Sequence, residues 1–265
     1  MIASLRKNLE RRVYEALSTR VRPSELAALA TVALGIRRRP HVVDGKTFFI
    51  DPVSNFGFRL YRDGFYEPET TMALEECLHA DDTFVDLGAN EGYFSVLASS
   101  RVGPGGSVFA IEPQSRCWPI IIQNILDNDC QNVKLLPFGI AAERGALEIV
   151  LTPTTNTGGS SFVSTGRALF WPRQRVHVMS LREVFTRYAI GKVALMKVDI
   201  EGYELVALES GKEVLATGQI ENLLVEVHPR QLRELGRNPA EVEQLLTSFG
   251  YVRSTSHPDL FGRAA

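Results

Sequence analysis

Lys197, Asp199 and Glu201 alternate in the run Met196-Lys197-Val198-Asp199-Ile200-Glu201, and in an extended strand a spacing of two aims all three side chains to one side. Ionisable groups are seldom buried without partners. Three of them on one strand end therefore point to a mutually paired reactive site, although a Lys–carboxylate pair that merely fixes the strand end has the same pattern. His228, two residues after Glu226, adds an imidazole whose ordinary pKa of about 6.5 suits proton exchange near neutrality. Side chains of these types can align two reactants and take a proton from a hydroxyl.

A second group of residues reads as a binding corner. In Thr83-Phe84-Val85-Asp86-Leu87-Gly88-Ala89-Asn90-Glu91-Gly92-Tyr93-Phe94 an apolar strand enters a turn with two glycines and then a helix, and the glycines are expected to let backbone approach a ligand. Glu112 closes the next apolar run, Ser107 to Ile111, about twenty residues on, where a doubly wound fold sets an acid against ribose hydroxyls. The spacing is not the Gly-x-Gly-x-x-Gly that faces a pyrophosphate, which argues against a nicotinamide-dependent oxidoreductase. Asp86, before the first glycine, would repel a phosphate and suit an ammonium or sulfonium; S-adenosylmethionine carries both.

Three blocks carry a family resemblance: Asp86-Leu87-Gly88-Ala89-Asn90-Glu91-Gly92-Tyr93-Phe94-Ser95, Val108-Phe109-Ala110-Ile111-Glu112-Pro113, and Met196-Lys197-Val198-Asp199-Ile200-Glu201-Gly202-Tyr203-Glu204. With Tyr66-Glu67-Pro68-Glu69, Asn156-Thr157-Gly158-Gly159-Ser160-Ser161 and Val225-Glu226-Val227-His228, the stretch from about Phe65 to Tyr251 resembles the FkbM-type S-adenosylmethionine-dependent methyltransferases. Glu91 stands where that family commonly has an apolar residue. The resemblance implies an α/β, Rossmann-like class I methyltransferase fold and O-methylation of a sugar, glycan or natural product. It implies a cofactor site of Asp86, Gly88, Asn90, Gly92, Tyr93, Phe94, Glu112 and Pro113. The residues then take roles: Asp199 near the transferred methyl, Glu201 for acceptor binding or proton removal, Lys197 orienting both, and His228 as a rival base. No spacing is diagnostic of a metal, although Asp199, Glu201 and His228 could offer ligands to Mg²⁺. A non-catalytic binding module on the same fold is the alternative from another class, and the clustered ionisable groups speak against it.

The elements that must position these residues are legible in the apolar pattern. The continuous runs at Val108–Ile111, Val133–Leu136, Val193–Val198 and Leu223–Val227 predict a mostly parallel central sheet with helices on both faces. Helices are expected over Glu69–His79, Phe94–Ser100, Cys117–Asn128, Leu205–Leu215 and Pro239–Phe249. Strands at Leu147–Leu151 and Arg175–Met179 flank a Thr-, Ser- and Gly-rich loop, Thr152–Thr165, expected as a lid over a polyhydroxylated acceptor. Before the core, Thr47–Ile50 and Phe58–Tyr61 are expected to form a hairpin. Asn124 is expected to cap or bridge its helix.

At 265 residues, 45% hydrophobic, the chain can bury one α/β core. We divide it into a basic helical extension (1–40), a lead-in (41–80), the cofactor-binding domain (81–255) and a tail (256–265). A net charge of -2 argues against nucleic acid as a partner. The first forty residues carry nine basic side chains against Glu10, Glu15 and Glu25, a surplus of +6 that leaves -8 for the rest. With Leu5, Leu9, Val13 and Leu17 at helical spacing, this arm is expected to pack on the domain or to touch anionic membrane peripherally. Cys77, Cys117 and Cys130 have no paired spacing, which fits a reducing, cytoplasmic setting.

Overall fold

The computed structural model of the chain describes residues 2–21, 24–163 and 171–263, with the side chains of residues 2–7 and of Ser24 left aside. The expectations for the Leu5 side chain and for residues 164–165 fall outside what is described. In chain order come α1 (Ile2–Glu15), a π-helical turn (Ala16–Arg20), α2 (Ser24–Ala33), β1 (Arg39–Val43), β2 (Lys46–Ile50), α3 (Asn55–Asp63), α4 (Pro68–Cys77), β3 (Thr83–Leu87), α5 (Tyr93–Val102), β4 (Ser107–Ile111), α6 (Trp118–Asp127) and β5 (Val133–Leu136). There follow β6 (Gly139–Ile140), β7 (Gly145–Val150), a 3₁₀ turn (Thr154–Gly159), β8 (Arg173–Met179), α7 (Leu181–Arg187), β9 (Val193–Val198), α8 (Glu204–Ser210), α9 (Lys212–Thr217), β10 (Ile220–Val225), α10 (Pro229–Glu234), α11 (Ala240–Ser248), β11 (Tyr251–Arg253) and β12 (Leu260–Arg263).

Seven strands form the central sheet in the order β11-β12-β10-β9-β3-β4-β5. The five from β10 to β5 run parallel, and β12 lies antiparallel between β10 and β11. Alternate residues feed opposite faces: Val85, Leu87, Phe109, Ile111, Met196 and Val198 enter one core, and Phe84, Val108, Leu195 and Leu224 the other. Burial on both faces is why these strands read as unbroken apolar runs. Strand order reverses at the β3–β9 pair, so the ligand crevice of such a sheet lies beyond Leu87 and Val198.

The hairpin before the core is real but differs in its second arm. β1 pairs with β2, whereas Phe58–Tyr61 lies inside α3. Ser54 caps that helix by accepting from the Gly57 amide, and Gly64 ends it at φ 78°; between them Phe56, Phe58 and Leu60 are buried. Capping and the tertiary face override the β-prone composition. The segment expected as one helix over Leu205–Leu215 is two, α8 and α9, with Gly211 between them packed against Leu181. β10 begins at Ile220, earlier than its apolar run suggested, and ends at Val225.

The amino-terminal arm is helical and its stripe is divided. Tyr14 and Leu17 are buried against Val53 and Phe58, while Leu9 is 64% exposed. Arg39 lies over the rings of Tyr14 and Tyr61, and Glu25 on α2 accepts from the indole N–H of Trp171. No helix among the described residues is long and apolar enough to cross a membrane.

Candidate active site

A cavity of about 400 Å³ opens beyond the carboxyl ends of β3, β4 and β9. Leu87 to Glu91, Tyr93, Phe94 and Ile111 to Gln114 line its inner end; Lys197, Asp199, Glu201 and Glu226 lie on the wall it shares with β9 and β10. The volume falls within the roughly 300–1,000 Å³ usual for small-molecule sites.

At the inner end the Glu112 carboxylate accepts backbone N–H bonds from Asn90 (2.8 Å) and Gln114 (2.8 Å). Burial pushes its carboxyl up to about 7 against the pull of those amides. A carboxylate has room for about four hydrogen bonds, so acceptor capacity remains for hydroxyls. Pro113 and Gln114 continue the wall, and Trp118 on α6 donates to the Glu112 carbonyl. Tyr93 and Phe94 both line the cavity and stack edge to face with each other, their centroids 5.1 Å apart.

Gly88 lines the cavity, and a second constraint acts on it from behind. A Cβ at Gly88 would stand 1.9 Å from the Asp199 carbonyl oxygen, so this residue is glycine because the chain leaving β9 crosses it. Its φ of 90° adds a second reason. Gly92 does not line the cavity: it opens α5 at φ 80° and packs on Ile121.

Asp86 is likewise behind the wall rather than on it. Its register partner on β9 is Lys197, both pointing toward α5, where Ser95 donates to Asp86 Oδ2 at 2.6 Å. Asp86 is 1% exposed and its Oδ1 has no hydrogen-bond partner among the described residues. Burial holds its carboxyl above the usual range while Lys197 pulls the other way.

Lys197 is 4% exposed, donates to Asp199 Oδ2 at 2.6 Å and lies over the Phe94 ring. Burial alone would lower its pKa, but the carboxylates of Asp199, Asp86 and Glu67 outweigh burial and raise it. It orients Asp199 but not Glu201. β9 ends at Val198, and Glu201 sits in a turn at φ 52° rather than on a continued strand. There Glu201 accepts from Gln231 Nε2 at 3.0 Å and lies 3.5 Å from His228 Nε2. Burial pushes its carboxyl up to about 7, with His228 opposing. Glu226 is also pushed up to about 7, by burial and then by Asp199 and Glu67. His228 Nδ1 is 2.9 Å from Oε1 of the buried Glu204. Burial would lower the imidazole's pKa, yet Glu204, Glu201 and Asp199 push it up to about 9, away from the neutral window expected of a base.

The hydroxyl-rich loop does cover the cavity as far as it is described. Asn156, Gly158 to Ser161 and Phe162 line it. Arg116 latches the loop, donating to the Thr152 carbonyl (2.6 Å), to Ser160 Oγ (2.8 Å) and to Gln114 Oε1. Sequence reasoning missed this latch, and also Asn55, Arg59 and Gln114: single polar residues in loops carry no periodic signal, and Asn55 and Arg59 lie on α3, where the sequence leads one to expect a hairpin. Tyr66 and Glu67 are also on the wall, in a segment noted only as part of the family blocks. Asn124 bridges as expected, accepting from the Phe49 amide (2.7 Å) and donating to the Glu91 carbonyl (2.8 Å).

A family model described as the Methyltransferase FkbM domain matches residues 86–253. Among solved structures, a methyltransferase FkbM from Methylobacillus flagellatus KT is similar at 16% identity and TM-score 0.44, over 98% of this chain and 60% of that one. A precorrin-6y C5,15-methyltransferase from Geobacter metallireducens GS-15 is similar at 14% identity and TM-score 0.41, over 72% of this chain and 76% of that one. A SAM-dependent methyltransferase from Aquifex aeolicus gives 16% identity and TM-score 0.39, over 77% of this chain and 89% of that one. A search of curated protein sequences finds no match.

Proposed function

Because the chain belongs to the FkbM methyltransferase family, we propose that it methylates a hydroxyl oxygen of a polyhydroxylated small molecule or glycan. The fold is that of a class I methyltransferase and the cofactor is S-adenosylmethionine, whose sulfonium supplies an electrophilic methyl group when bound.

The residues present fit that cofactor. The observation that carries the reading is the acidity of the cavity wall: Glu67, Glu112, Asp199, Glu201 and Glu226 line it against Arg59 and Lys197, with Glu91 taken up by Arg38. Such a wall favours a cationic ligand and repels a pyrophosphate, which also disfavours a nicotinamide cofactor. Glu112, on the cavity wall with acceptor capacity to spare, would hold the ribose hydroxyls.

The chain's own work is to align and to move a proton. Lys197 fixes Asp199 at the cavity wall through a 2.6 Å ion pair. Glu201, with its carboxyl pushed up to about 7, is matched to proton uptake from an acceptor hydroxyl near neutral pH. The Asn, Ser and Gly side of the lid presents donors and acceptors without net charge, which suits a sugar-like acceptor.

The test is calorimetry with S-adenosylmethionine and with NAD, followed by incubation of methyl-labelled donor with extract of the source cell and identification of the labelled product. Binding of the donor but not NAD, and label on a hydroxyl oxygen, is expected. Label on carbon or nitrogen alone would overturn the O-methyl assignment.

A further inference from the structure

We propose that Asp199, Glu226 and His228 form a binding site for one divalent cation on the acceptor side of the cavity. Asp199 follows β9, and the other two follow β10; each offers one ligand atom, and the three atoms lie within 4.8 Å of one another.

The geometry around His228 Nε2 carries the argument. Three carboxylate oxygens surround it: Glu201 Oε2 at 3.5 Å, Glu226 Oε1 at 3.8 Å and Asp199 Oδ1 at 3.9 Å. None is at the roughly 2.7–2.9 Å to which an imidazolium draws a carboxylate. Two ligands each about 2.0–2.2 Å from an ion stand about 3.0 Å apart at right angles and about 3.4 Å apart in a tetrahedron, wider still when the angle opens. The Asp199 and Glu226 separations are a few tenths of an ångström wider than the tetrahedral value, so these two side chains would draw in slightly on an ion.

Two observations outside the cluster agree. Nδ1 of the same ring faces Glu204 Oε1 at 2.9 Å, the carboxylate–histidine arrangement that turns the other nitrogen toward a metal. Glu204 is 0% exposed, and while Oε1 also accepts from the Gly202 amide, Oε2 has no hydrogen-bond partner among the described residues. Glu204 thereby fixes the ring with Nε2 toward Asp199 and Glu226. Asp199 divides its two oxygens: Lys197 holds Oδ2, and Oδ1 is the atom toward His228. Glu226 is 51% exposed, which leaves the ion a way in.

One nitrogen and two carboxylate ligands suit Mn²⁺ or Mg²⁺ with positions left open. Asp199 and Glu226 line the cavity, so those positions face it. A cation there would hold an acceptor oxygen and favour its deprotonated form. That consequence rests on the methyltransferase reading, whereas the binding of the ion does not.

The test is therefore a binding measurement. The full chain, treated with a chelator, is titrated with Mn²⁺ with neither donor nor acceptor present, and free ion is read by electron paramagnetic resonance. One ion per chain is expected, weakened about 10-fold or more in Glu226→Gln, whose half-exposed side chain can change without disturbing the melting transition, and in His228→Gln, which leaves the buried Glu204 without its partner, should melt lower and is titrated well below that transition. Absence of a stoichiometric ion, or binding unchanged in both variants, overturns the proposal. Calorimetry with S-adenosylmethionine on the same samples reports separately on the methyltransferase reading.

Discussion

Arg38 and Glu91 meet in a two-point ion pair, Nη1 to Oε2 at 2.7 Å and Nη2 to Oε1 at 2.6 Å, which ties the start of the β1–β2 hairpin to the glycine turn. The Glu91 side chain is 1% exposed and that of Arg38 20%. The departure at Glu91 from an apolar residue thus has a partner about fifty residues upstream. Removing one member of a buried pair leaves an uncompensated charge, at a cost of about 3–5 kcal/mol, while replacing both by apolar groups costs far less. Arg38→Ala should therefore lower the urea midpoint sharply, and Arg38→Ala with Glu91→Leu should recover most of the loss. A double variant no more stable than Arg38→Ala would mean that the stranded Glu91 charge is not the source of the loss.

Glu112 gives a pH dependence with a definite sign. Its carboxyl is raised from 4.5 to about 7 by burial, so the folded chain holds this proton more tightly than the unfolded chain. Its contribution to stability is complete below about pH 4.5 and is lost as pH rises through 7, a difference on the order of 3 kcal/mol. Urea unfolding at pH 5 and pH 8 should show a larger fall for the wild type than for Glu112→Gln. Equal falls would mean that Glu112 ionises in the folded chain as freely as in water.

The sheet and the two ends of the cavity were legible in the sequence because they depend on local pattern. Strands covered on both faces read as apolar runs, and an acid closing one of them, Glu112, stands out against it. Side chains whose roles depend on which loops meet in space were not legible. Nothing in the sequence pairs Arg116 with Ser160, or shows that Gly88 is crossed by the Asp199 carbonyl. The two-residue spacing of Lys197, Asp199 and Glu201 led to the right place by an incomplete argument, since Glu201 reaches the cavity through a left-handed turn.

The Arg116 latch should govern the lid. It bonds the Thr152 carbonyl and Ser160 Oγ at one end and Gln114, two residues past Glu112, at the other. Hydrogen bonds to a charged group contribute about 1.5–3 kcal/mol, so Arg116→Ala should raise local opening of residues 152–163 by about 10-fold or more. Limited proteolysis within that loop measures this directly. The KM for S-adenosylmethionine should rise with it, and unchanged cleavage would show that the lid is held elsewhere.

The two candidate bases can be told apart by pH. Glu201, pushed up to about 7, loses its proton across the neutral range, so methyl transfer should rise with pH through about 7 as the carboxylate becomes able to accept a proton. With no ion bound, His228 is pushed up to about 9 by the carboxylates around it and carries its proton throughout that range, and with an ion on Nε2 that nitrogen is occupied, so in neither case is it the base at neutral pH. Glu201→Gln keeps the side chain's shape and its reach to Gln231. It should retain most of the affinity for S-adenosylmethionine, lower transfer by about 10²-fold or more, and flatten the rise. His228→Gln should slow transfer yet keep the rise near pH 7, because the group that titrates is still present. The opposite pattern, a rise preserved in Glu201→Gln and lost in His228→Gln, would move the base to the histidine.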